Sequence, residues 1–123
     1  MALTEGKYTG EFLLAEAPGT ISRDTVTVRV AASATYPPGT VLGQLTSGGQ
    51  YVPYDSAESD GREEAVAILY GEVANASLSP ANVSAVVINF GAEVRKADLV
   101  WETGVDKTAA YAALAAFGIK ARD

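Results

Sequence analysis

The sequence predicts a mainly β domain with one short C-terminal helix and an extended N-terminal arm. Three observations carry this. Residues 25–30, Thr-Val-Thr-Val-Arg-Val, alternate polar and apolar side chains without a break, which is the period of a half-buried strand. Residues 65–70 and 83–90 are short apolar runs bounded by turn residues. Only residues 108–117, Thr-Ala-Ala-Tyr-Ala-Ala-Leu-Ala-Ala-Phe, carry strong helix propensity.

Taken in order, residues 1–24 sustain neither a helical nor a strand period. They hold Gly6, Gly10, Pro18 and Gly19, mixed charges and one apolar knot, Phe12-Leu13-Leu14. They read as an arm with few contacts to the body, residues 25–123. The knot itself has two readings: an anchor for another protein, or a strand packing on its own domain. An arm of the first kind adds to a neighbour's sheet edge, where main-chain hydrogen bonds give affinity. In the strand that follows, Val26, Val28 and Val30 share the buried face.

Tyr36-Pro37-Pro38-Gly39 is a rigid turn, because proline fixes φ and glycine tolerates the open position. Residues 40–45 form the next strand. Ser47-Gly48-Gly49 signals a hairpin, with Gln50-Tyr51-Val52 returning and Pro53 at a strand end. Residues 55–64 form a polar, acidic loop. Residues 65–70 are apolar on both alternating faces and predict a central strand. Residues 83–90 predict another, with Val86, Ile88 and Phe90 on one face. Residues 97–101 form a short apolar element. The helix over 108–117 starts at Asp106 or Thr108 as cap and ends at Gly118. Its faces are almost all apolar, so it is expected to be buried on more than one side.

The 123 residues suffice for one domain with its own core. Hydrophobic residues are 48% and charged residues 20%, a globular balance. Nine basic and fifteen acidic residues give a net charge of −6, whose average field repels a phosphate backbone. No direct nucleic-acid partner is expected. The chain has no His and no Cys, which removes Ser-His and Cys-His nucleophiles, thiol redox chemistry and zinc sites built from those ligands. The N-terminus lacks the pattern of a signal peptide, and no apolar run has the length of a membrane span. Synthesis in a cytoplasm and no membrane partner are expected.

The carboxylates Asp55, Glu58, Asp60, Glu63 and Glu64 have oxygens suited to Ca²⁺, but their spacing is not that of an EF-hand, and a solvated loop accounts for them. Glu93, Asp98, Glu102 and Asp106 offer acid–base pairs only if a cleft brings them together; exposed ends of strands and turns account for them. Arg95-Lys96 is the one adjacent basic pair, read as a solvated strand end. The alanine-rich helix is either a core helix or a contact between copies. Trp101 is a core or interface aromatic. No catalytic, cofactor or metal site is expected.

Three stretches, in this order, resemble the head decoration proteins of lambda-like tailed bacteriophages. They are Pro38-Gly39-Thr40-Val41-Leu42-Gly43 running through Gly49-Gln50-Tyr51-Val52-Pro53-Tyr54-Asp55, then Ala65-Val66-Ala67-Ile68-Leu69, then Asp98-Leu99-Val100-Trp101-Glu102 followed by Lys107-Thr108-Ala109-Ala110. The match spans about residues 36–119, and residues 11–28 resemble the longer members. The strand at 25–30 is a departure from the shortest members and leaves the end of the arm open.

The resemblance implies a small β-clip-like domain and a homotrimer. It implies binding to the outer surface of the expanded capsid, at three-fold and quasi-three-fold positions, where the trimer holds neighbouring major capsid proteins against the pressure of packaged DNA. It places Leu3, Tyr8, Phe12, Leu13 and Leu14 against the capsid, and Tyr111, Leu114 and Trp101 at the trimer interface. It implies a location in the virion and no cofactor. Two other readings stand beside it. One is a trimeric β-fold enzyme acting on a nucleotide, though no glycine-rich phosphate loop is present. The other is a non-viral β binding module.

Overall fold

The structure, a computed structural model, describes residues 12–16 and 22–122. Ten strands and one α-helix run in the order β1 (Leu13–Glu16), β2 (Arg23–Val30), β3 (Thr35–Tyr36), β4 (Val41–Gln44), β5 (Tyr51–Pro53), β6 (Ala67–Leu69), β7 (Val73–Ala74), β8 (Ala81–Ile88), β9 (Ala92–Arg95), α1 (Lys107–Ala115) and β10 (Ile119–Arg122) among the described residues. The mainly β class with one C-terminal helix is as the sequence predicts.

Strands β2, β5, β4, β6 and β8 close a barrel. Its longest seam pairs β2 with β8 antiparallel over eight residues, from Arg23 opposite Ile88 to Val30 opposite Ala81. The alternation of β2 is realised: Val28 and Val30 are fully buried, while Thr25, Thr27 and Arg29 face water. The β4–β5 hairpin turns through Gly48 and Gly49, both at positive φ (88° and 75°), where a Cβ would be strained. Strand β6 lies between β4 and β8 and is buried throughout, the central strand that its two apolar faces require.

The two faces of β4, β6 and β8 feed two cores. Val28, Val30, Leu42, Ala67, Leu69, Ala85 and Val87 fill one core. Val41, Ile68 and Ile88 point the other way and are covered by α1 and a second sheet, in one cluster with Phe12, Tyr54, Val94, Leu99, Ala110, Leu114 and Ile119. That second sheet has the order β1–β9–β10, with β1 antiparallel and β10 parallel to β9.

Several expectations are corrected. The chain from 1 to 24 is not all arm. Phe12 is 1% exposed in the core, β1 pairs with β9, and β2 begins at Arg23 rather than 25. Phe12 is apolar enough to join a core that the sheet and helix leave open on that side. Residues 1–11 and 17–21 lie outside the described residues, and with them Leu3 and Tyr8. Val86, Ile88 and Phe90 do not share a buried face. Ile88 is fully buried under the second sheet and α1, but Val86 and Phe90 are 38% and 50% exposed, so that face is covered at Ile88 alone, while Ala85 and Val87 lie in the other core. The short apolar element at residues 97–101 is irregular: a 3-10 turn, Lys96–Asp98, leads into it, and an isolated bridge joins Val100 to Thr40. The helix buries one face only, through Ala110 and Leu114; small alanines on its other sides tolerate water.

Candidate functional site

Two surfaces collect the residues singled out in the sequence. The first is the β1–β9–β10 sheet. Leu13 pairs with Val94, Ala15 with Glu93 and Glu16 with Ala92, with a bulge that leaves Leu14 outside the register and 42% exposed. The structure therefore divides the apolar knot. Phe12 is consumed by the domain core, Leu13 packs partly against it, and Leu14 faces outward. Of the two readings of this knot, packing on its own domain holds for Phe12. As the domain is folded, its side chain offers nothing to a capsid.

The sheet is open. Among the described residues, β1 and β10 each pair on one side only, so each leaves a row of main-chain donors and acceptors at an edge. The end of β1 is fixed by charge. Glu16 accepts hydrogen bonds from the Arg23 guanidinium and the Ser22 hydroxyl. The bond from Arg23, then the one from Ser22, holds the Glu16 carboxyl below its ordinary range. Arg23 also stacks over the Tyr70 ring at 4.2 Å.

The second surface is aromatic. Trp101 stands edge-on to Tyr111 at 5.5 Å and to Tyr54 at 6.2 Å. Lys107 lies over Trp101 and Lys96 over Tyr111, at 5.7 and 4.7 Å. Tyr54 is buried and donates to the Asp106 carbonyl at 2.8 Å; burial pushes its phenol up. The structure brings Trp101 and Tyr111 together as half-buried neighbours. Leu114 is the exception among the three expected interface residues. It is fully buried inside its own domain, because α1 turns that face onto the core. It has no surface to present to a second copy.

Several of the acidic residues have partners within the fold. Asp60 takes the Arg62 guanidinium, which holds its carboxyl low. Glu93 takes Arg122, with Arg122 Nε to Oε1 at 2.6 Å. Asp106 caps α1, its Oδ1 accepting from Ala109 N at 3.0 Å. Among the described residues no three carboxylates gather as a metal site. Sequence reading missed Phe90 and Phe117. They are 50% and 40% exposed and neighbours across the Gly91 N–H to Phe117 carbonyl bond of 3.2 Å. Only the parallel pairing of β10 with β9 brings them together.

A protein-family model described as bacteriophage lambda head decoration protein D matches residues 2–119. No curated protein matches the chain.

Proposed function

The chain belongs to the family of bacteriophage lambda head decoration protein D, and from that premise we propose that it works as a homotrimer on the outer face of the expanded capsid. Family membership makes it a structural head protein associated with the capsid. The finer reading is that trimers sit at three-fold and quasi-three-fold positions and hold neighbouring major capsid proteins together against internal DNA pressure. Its work is binding energy, without catalysis and without direct contact to nucleic acid. The match across residues 2–119 carries this reading.

The open sheet supports it. A strand that pairs on one side only among the described residues, as β1 does, accepts an extended segment of another chain through main-chain hydrogen bonds. We place capsid contacts at Leu14, at the exposed side of Leu13, and at the preceding segment with Leu3 and Tyr8. We place the contact between copies at Trp101 and Tyr111, whose half-buried rings are suited to being covered. Three such attachments on one trimer act together, so modest single contacts give tight binding through effective concentration. Binding the expanded shell alone stabilises that state by linkage.

The test removes residues 2–11, which spares the core residue Phe12, and measures co-sedimentation with expanded capsids. The expected result is loss of most binding with an unchanged melting temperature. Undiminished binding removes the leading segment from the mechanism.

A further inference from the structure

The solvent face of the β1–β9–β10 sheet carries an arrangement that folding alone disfavours. In the parallel register of β9 with β10, Arg95 lies beside Arg122 and Glu93 beside Lys120. Ala92, Val94 and Ile119 point into the core, so the alternate residues Glu93, Arg95, Lys120 and Arg122 point out. Two arginines directly side by side repel. Glu93 is engaged by Arg122, and Asp98 reaches Arg95 only at 3.8 Å. Lys120 is exposed and has no ion-pair partner among the described residues. With Lys96 directly after β9, four of the chain's nine basic residues sit on two short strands and the turn that follows. The chain as a whole carries a net −6. With Glu93 and Asp98 counted, these segments carry a net +2, opposite in sign to the chain as a whole.

The sheet is hollow at the end where Gly91 and Gly118 meet. A trough of about 400 Å³ is lined by Ala15, Glu16, Gly91, Ala92, Glu93, Gly118 and Lys120. Its small residues let another backbone approach closely. Its two carboxylates are occupied, Glu16 by Arg23 and Ser22 and Glu93 by Arg122, which among the described residues leaves Lys120 as the uncompensated charge on its wall.

We infer that this basic sheet face is the orienting surface for an acidic patch of the major capsid protein, with Lys120 at its centre and Arg95 and Arg122 beside it. The inference rests on the decoration reading above and names the chemistry of its partner surface. The partner is assigned as the capsid because the proposed docking segment runs into this sheet, the Phe12 carbonyl accepting from Arg95 N at 2.8 Å. A basic face on an otherwise acidic molecule leads when it approaches an acidic partner surface. The acidic loop of a second copy, residues 55–64, is the competing occupant, and the experiment separates the two.

Lys120→Glu and Lys120→Gln are compared with Arg29→Glu, a charge reversal of the same size at an exposed position on the barrel. Binding to expanded capsids is measured by co-sedimentation from low to high salt, and oligomeric state by analytical ultracentrifugation. The expected result is about a tenfold or larger loss of capsid affinity for K120E at low salt, a smaller loss for K120Q, and convergence with the unmodified chain at high salt. R29E binds normally, and self-association is the same in all four. Equal capsid binding by K120E and the unmodified chain overturns the inference. So does an equal loss in R29E, or a change in self-association confined to K120E. If the unmodified chain fails to bind capsids at any salt, the decoration reading itself falls.

Discussion

Replacing Phe12 with alanine separates a folded segment from a loose arm. Phe12 is 1% exposed and belongs to the cluster with Val94, Leu99, Leu114 and Ile119 that joins the second sheet to α1. Its carbonyl is bonded to Arg95 N, so the backbone is tied at the same point. Truncating a buried phenylalanine to alanine costs about 3–5 kcal/mol in lost burial and residual cavity. In a domain of this length each kcal/mol is worth roughly 3–6 °C in melting temperature. Phe12→Ala is therefore expected to melt roughly 10–30 °C below the parent. The assay is thermal unfolding of the isolated protein by circular dichroism at one fixed concentration. Leu14→Ser is the comparator: two residues away but 42% exposed, it is expected to cost no more than about 1 kcal/mol. If Phe12→Ala melts like the parent, residue 12 is not part of the core and β1 is not held as described.

Three further outcomes follow from the geometry. Asn75, 8% exposed, donates to the carbonyls of Val30, Ala31 and Ser79 and accepts from Ser77 N, so Asn75→Ala leaves buried groups unpaired and is expected to cost about 1–3 kcal/mol in urea unfolding. Gly43 has backbone against it: a Cβ there falls 2.5 Å from the Arg62 Cα, whereas one at Gly104 (φ 78°) meets nothing within 4 Å. Gly43→Ala is expected to lose at least about 2 kcal/mol by the same measurement, and Gly104→Ala only about 1, from its positive φ alone. The Glu16 carboxyl is depressed by Arg23 and then Ser22, so its stabilising contribution is complete above the unfolded value near 4.5 and is lost as pH falls through the lower folded value. Glu16→Gln should flatten the loss of stability below pH 4.5, seen as melting temperatures that converge with the parent in acid.

The strand at residues 25–30 was legible because three valines alternate with polar residues long enough to state a period. The central strand at β6 was legible because both its faces are apolar, and both are in fact covered. The β1–β9–β10 sheet was not. Ala92-Glu93-Val94-Arg95 and Ile119-Lys120-Ala121-Arg122 are four residues each, too short for a period, and Ala, Glu and Lys have weak strand preference. That sheet is held by pairings between distant parts of the chain. Phe12 was hidden for the same reason: its partners Val94 and Ile119 lie more than eighty residues away. Alternation puts Val86, Ile88 and Phe90 on one face but cannot say how far that face is covered: β8 has Val87 buried on one side and Ile88 on the other, and the cover ends at Ile88. The proposed docking surface was legible only through Leu3, Tyr8, Leu13 and Leu14. Its charge depends on Arg95 lying beside Arg122, which no local pattern encodes.

The most direct measurement is an image reconstruction of expanded capsids saturated with this chain. The expected result is three copies at each three-fold and quasi-three-fold position, the β1–β9–β10 sheet toward the shell, and a capsid-protein strand alongside the unpaired edge of β1. A shell that stays bare at saturating protein contradicts the decoration role, and copies attached through the barrel with that sheet turned outward contradict the docking geometry.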